Sequence, residues 1–158
     1  MPIFMKFAGI DGSATSKGYE GWIQVESISL GVGRGITTFT GGAANREASA
    51  PSVSDVVVTK LMDRASPKLF EEGLVGSDGK LVTIVVTRTG KELRPFCLFT
   101  FFNTLVSGYS VSSSGDTPDE SLSLNFTRME YSFTGSETTG KDASQMKVGF
   151  DIATATTM

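Results

Sequence analysis

Apolar and polar residues alternate with a period of two along most of this chain, the pattern of strands with one buried face. Ile3–Phe7 (IFMKF) opens the series, and Asp11-Gly12 marks a turn after it. Trp22–Leu30 (WIQVESISL) alternates but changes phase. Ile23 and Val25 share one parity, Ile28 and Leu30 the other, which predicts a bulge or sharp bend near Glu26-Ser27. The β-branched run Asp55–Met62 predicts a further strand, as does Lys80–Arg88, bounded by the turn pairs Asp78-Gly79 and Thr89-Gly90. Glu120–Phe133 alternates through Leu122, Leu124 and Phe126, then shifts to Met129, Tyr131 and Phe133. Gln145–Ala153 closes with Met146, Val148, Phe150 and Ile152 on one face. Glu92–Ser112 differs from the rest: Phe96, Leu98 and Phe102 lie on one parity and Cys97, Phe99 and Phe101 on the other. A strand apolar on both faces needs cover on both. The domain core supplies one cover; the short helix described below, or a neighbouring subunit, supplies the other.

Two segments break the alternation. Gly31–Ser54 is glycine-rich and made of small residues, with one phenylalanine. Structureless loops of this length are uncommon in compact domains and are usually functional or disordered. The second is a helix over Ser66–Glu72, with Ser66 as N-cap, Pro67 at the first helical position and Gly73 as the stop. Two turns do not hold together in water, so packing through Leu69 and Phe70 must hold it. Ser112–Glu120 reads as a polar turn. Asp116, Asp119 and Glu120 within it read as solvated turn residues rather than as a carboxylate pair for glycoside cleavage. The sum is roughly seven to nine strands and one helix. The predicted fold is mainly β: a closed two-sheet β-barrel forming a single domain over residues 1–158. It has one short flanking α-helix at Ser66–Glu72 and a long extended loop at Gly31–Ser54.

Composition narrows the function by exclusion. The 158 residues suffice for one domain with a proper core. The formal net charge of −3 leaves no electrostatic footprint for nucleic acid and no polybasic segment for anionic membranes. There is no histidine, which removes the commonest general base and metal ligand and every histidine-dependent triad. The single cysteine, Cys97, permits no intrachain disulfide and fits a reducing compartment. It lies in the apolar run PFCLFTFF and reads as a buried, inert thiol, since reactive cysteines need an electropositive, partly exposed setting. The opening MPIFMKFAG has no secretory signal pattern. The longest apolar run, Pro95–Val106, is too short to span a bilayer as a helix. Gly31–Gly35 is followed by no helix that could cradle phosphate. Ser144–Lys147 matches Ser-x-x-Lys but lacks that family's partner motifs. No catalytic, cofactor-binding or metal-binding residue is expected.

Three stretches carry a resemblance. GYEGWIQVESIS (Gly18–Ser29), REASAPSVSDVVVTKLMDRASPKLFEE (Arg46–Glu72) and VSGYSVSSSGDTPDESLSLNFTRMEYSF (Val106–Phe133) resemble, in the same order, the haemolysin-coregulated protein (Hcp) family. These are the tube proteins of bacterial type VI secretion systems. Glu120–Phe126 ahead of Glu130-Tyr131 is the most specific part; residues 33–45 do not match residue by residue. The resemblance implies a barrel that assembles into a homohexameric ring. Rings stack into a hollow tube that a contractile sheath propels out of the cell. A spike protein of the valine-glycine-repeat kind caps the tube, and secreted effector proteins travel in its lumen. It further implies a structural virulence protein and not an enzyme, with no cofactor, no nucleic-acid partner and no membrane insertion. The protein would be made in the bacterial cytoplasm and secreted to the exterior or into target cells without a signal peptide. Family members gain enzymatic activity from an added C-terminal domain, for which an end at Met158 leaves no room. Carried onto this sequence, the resemblance implies that Ser29 faces the lumen. It makes Gly31–Ser54 a ring-stacking or subunit-contact loop through Arg46, Glu47, Ser49 and Pro51. Leu69 and Phe70 become helix cover or subunit contact. Three other readings stay open: a tail-tube protein of a phage-like contractile particle, a monomeric ligand-binding β-barrel, and a hydrolase using acidic residues in a barrel cleft.

Overall fold

A computed structural model of the chain describes residues 1–38, 40–41, 46–136 and 142–157. The side chains of Glu47, Ser136, Asp142, Ala143 and Ser144 lie outside that description. In chain order the elements are β1 (Ile3–Phe7), β2 (Ile23–Val25), β3 (Ser27–Ser29), β4 (Val32–Gly33), β5 (Ile36–Thr38), β6 (Arg46–Ala48) and β7 (Ser52–Val53). They continue with β8 (Val56–Leu61), α1 (Ser66–Val75), β9 (Lys80–Arg88), β10 (Arg94–Ser112), β11 (Asp119–Asn125), β12 (Arg128–Ser136), β13 (Asp142–Asp151) and β14 (Thr156–Thr157).

The long strand β10 organises the molecule. Its first half runs antiparallel to β9 on one side, from Arg94 to Thr104, and to β12 on the other, from Cys97 to Phe102. Its second half, Leu105–Ser112, pairs with β11. Between the halves Asn103 sits at φ 54°, in the left-handed region that asparagine tolerates better than most residues. The β9 ladder shifts register at the same point. One strand therefore serves two sheets. The first is β2-β1-β9-β10-β12-β13-β14 and the second is β10-β11-β8-β3. The core lies between them: Met5, Ile23, Val82, Ile84 and Phe101 from the first, Val56, Val58, Val106, Leu122 and Leu124 from the second.

The expected closed barrel does not form. Among the described residues no sheet closes on itself; the ladders end at β14 and at β3, and β2 belongs to the first sheet while β3 belongs to the second. The change of partner within Trp22–Leu30 is the reason. The strand breaks at Glu26, whose N–H donates to the Thr59 carbonyl at 2.8 Å. Pairing with β1 ends at Val25, and pairing with β8 starts at Ser27. Parity revealed the bend, but closure depends on which partner each side of it takes.

Gly31–Ser54, expected as a long extended loop, carries paired strands. Its described residues form a two-part ribbon, in which β4 pairs with β7 and β5 with β6. Serine hydroxyls hold the joints: the Gly31 N–H donates to Ser54 Oγ at 2.9 Å and the Gly35 N–H to Ser49 Oγ at 2.8 Å. Residues 39 and 42–45 of this segment lie outside the described residues. The helix is longer than predicted. It passes through Gly73 and ends at Gly76, and Ala65 rather than Ser66 is its N-cap. A Cβ at Gly73 would meet Val106 Cγ1 at 3.5 Å and Tyr109 Cβ at 3.9 Å, ordinary contact distances, so this face of the helix packs on β10.

The second apolar face of β10 has an unexpected cover. Over its first half the chain's own segment between β1 and β2 folds back. Tyr19 stacks on Phe4 at 4.6 Å, and Trp22 and the half-buried Leu98 pack against the same cluster. The Arg88 and Arg128 guanidinium groups lie over Phe96 and Phe102, at 4.9 and 4.5 Å from the ring centres.

Candidate functional site

The second sheet has one face on the core and one face open. The register places the open side chains in cross-strand rows. Ser29, Val57, Ser123 and Gly108 form one row; Ser27, Thr59, Ser121 and Ser110 the next; Leu61, Asp119 and Ser112 the last. Alternation explains this, because Ile28, Val56, Val58, Leu122 and Leu124 take the opposite parity and fill the core. The Ser27 and Thr59 hydroxyls hydrogen-bond across the strands. At one end of the face the Asp55 carboxylate accepts from Ser107 Oγ at 2.8 Å and from Asn125 Nδ2 at 2.9 Å. The result is a sheet face of small hydroxyl-bearing side chains with a carboxylate near each end.

Beside it stands the arm β4–β7, whose strands are largely exposed. At its root opens an apolar groove of about 590 Å³. One wall is Ile28, Leu30, Val32, Pro51 and Val53; the other is Phe99, Met129, Tyr131, Val148 and Phe150. Phe99 and Tyr131 stack at 4.7 Å in that second wall. On the other side of β12 and β13, Glu130 accepts from Lys147 at 2.9 Å and from Arg128 at 3.2 Å. These contacts, the Lys147 hydrogen bond foremost, hold its carboxyl below the ordinary range.

A cluster of charges is buried between α1 and the second sheet. Lys60 Nζ lies 2.7 Å from Glu120 Oε2, 3.0 Å from Asp63 Oδ1 and 3.2 Å from Ser66 Oγ. The Lys60 and Glu120 side chains are fully buried. Tyr109 completes the cluster, its pKa pushed up to about 12, first by burial and then by hydrogen bonding to and the charge of Glu120. Glu120 is thus a buried strand residue and not the solvated turn residue expected; it shares parity with Leu122 and Leu124 and stands directly opposite Lys60. Its chemistry is that of a buried ion pair. Burial also pushes the Cys97 thiol up, opposed by a hydrogen bond with Tyr131. Among the described residues no group of acidic or thiol side chains is arranged to hold a metal ion, and no helix is long and apolar enough to cross a membrane.

The residues singled out from sequence fall into three places. Ser29 is exposed on the hydroxyl face. Arg46, Ser49 and Pro51 are exposed on the arm, with Arg46 Nε donating to Thr38 Oγ1 at 3.2 Å. Glu47 pairs with Thr37 through its backbone, and its side chain lies outside the description. Leu69 is fully buried under α1, whereas Phe70 is half exposed and meets the Tyr109 ring edge-on at 5.6 Å. Sequence reasoning missed Ser27, Thr59, Ser110, Ser121 and Asp119 as companions of Ser29. The signal was present in the serines that recur every second residue at 27/29, 110/112 and 121/123.

A family model described as type VI secretion system effector, Hcp, matches residues 4–133. No curated protein matches the sequence. The fold is similar to that of a solved type six secretion system protein at 22% identity, covering 99% of each chain with a TM-score of 0.91. It is also similar to Hcp1 from Salmonella typhimurium, at 22% identity over 99% of this chain and 98% of that one, TM-score 0.81. A type VI secretion system effector from Yersinia pestis shares 21% identity over 94% and 98% of the two chains, TM-score 0.75.

Proposed function

The chain belongs to the Hcp family of type VI secretion system proteins, and on that premise we propose that it is a tube subunit. It assembles into hexameric rings, the rings stack into a hollow tube, and the tube is exported with effector proteins in its lumen. The observation that carries this reading is the second sheet. Among the described residues β3 pairs only with β8, and the Leu105–Ser112 half of β10 pairs only with β11. Among the described residues both edges of this sheet, short β3 and the longer half of β10, are open for pairing, which native proteins rarely leave uncovered. Joining one edge to the opposite edge of the next copy is a heterologous contact, and such a contact that closes makes a ring. The hydroxyl face, Ser29 included, then lines the interior.

The arm suits stacking. Two short ladders with no core of their own are marginal in water and gain from packing on another surface. Arg46, Glu47, Ser49 and Pro51 are its contact residues in this reading. Leu69 is cover for the chain's own core, and Phe70, exposed beside Leu74 and Val75, is the subunit contact of α1. The sheath, the spike protein and the effectors are the partners this role requires. The role is structural, and export proceeds through the secretion machine itself. The test is absolute mass by light scattering after gel filtration, with negative-stain images of the same peak. Six chains in an annulus with an open centre is the expected result; a monomer that persists at high concentration overturns the reading.

A further inference from the structure

The geometry points to a preference of the hydroxyl face for basic protein surfaces, an inference that rests on reading this face as the lumen wall. Serine and threonine hydroxyls both donate and accept, so they favour neither sign of charge. The sign is set by Asp55 and Asp119, placed near opposite ends of the face. Asp55 is fixed in orientation by its bonds to Ser107 and Asn125. Among the described residues none of the side chains in the three cross-strand rows is lysine or arginine, although the chain carries 14 of them. Lys60, on the same strand as Thr59, takes the opposite parity and is neutralised inside.

Ring symmetry multiplies this small asymmetry. Each carboxylate recurs in every subunit at the same height, and charges of one sign around a narrow passage focus their field into it. Arginine and lysine on a cargo find hydroxyl and carboxylate acceptors on every side. Cargo carboxylates find no cationic partner among the described side chains of the three rows. The occupant is therefore a polypeptide whose contacting surface is rich in lysine and arginine.

Two fluorescein-labelled peptides of equal length test this, one alternating lysine with serine and the other glutamate with serine. Each is titrated by anisotropy into protein whose mass has been measured in the same sample. The intact ring should bind the basic peptide in low salt and release it in high salt. Asp119→Asn or Ser121→Lys should weaken that binding by roughly tenfold with the ring mass unchanged. Equal binding of both peptides by the intact ring, or basic-peptide binding indifferent to both substitutions, overturns the inference. A sample whose mass shows no ring removes the lumen itself, and the inference falls with that reading instead.

Discussion

Tyr109 shows how one side chain can report on its surroundings. Its phenol is pushed up to about 12 by burial first and by Glu120 second. The folded state therefore holds the proton more tightly than the unfolded chain, whose tyrosines titrate near about 10. The associated stability is fully present below the unfolded value and is lost as pH rises through the folded one. Urea midpoints measured from about pH 9 to 12 should fall less steeply for Tyr109→Phe than for the parent; equal slopes would deny the coupling. Glu120, the residue behind much of that shift, was legible in the sequence only through its parity. It shares the register of Leu122 and Leu124, a position that alternation reserves for the core. Its acidic neighbours Asp116 and Asp119 made it read as turn. A buried carboxylate is intelligible only once its cation is found, and Lys60 lies sixty positions away in the chain.

At the scale of elements, strands bounded by strong turn signals were readable to the residue. Lys80–Arg88, set between Asp78-Gly79 and Thr89-Gly90, is the clearest case. The arm was not readable, because serine hydroxyls bonded to glycine N–H groups hold its joints and hydrophobic alternation does not. Nor was the end of α1, since the helix runs through Gly73 and stops only at Gly76. That helix is fastened at its first turn by the buried Lys60, Asp63, Glu120 and Ser66 cluster. Removing Lys60 leaves the fully buried Glu120 carboxylate without its cation. Lys60→Met should cost about 3–5 kcal/mol in urea unfolding, and adding Glu120→Leu should recover most of that loss. A single variant as stable as the parent would show that the cluster does not fasten the helix.

At the scale of the whole molecule, the sequence pointed to the β class, the bends and the family, and missed the openness of the sheets. Closure is decided by partner choice across Glu26, and no local pattern encodes it. The open arrangement frames the prediction for the arm. Among the described residues, replacing Arg34–Ala50 with a two-glycine turn removes exposed ribbon, so fold stability should change by less than about 1 kcal/mol. Ring mass should persist while stacked particles disappear from negative-stain fields; unfolding on deletion, or unimpaired stacking, would refute the assignment.

The continuity of β10 through Asn103 has a mechanical meaning. Two sheets joined by loops could shear past one another under load. Here a single covalent strand is built into both, so a push on one sheet reaches the other along the backbone. The left-handed residue Asn103 is the point at which that shared strand turns from one sheet into the other.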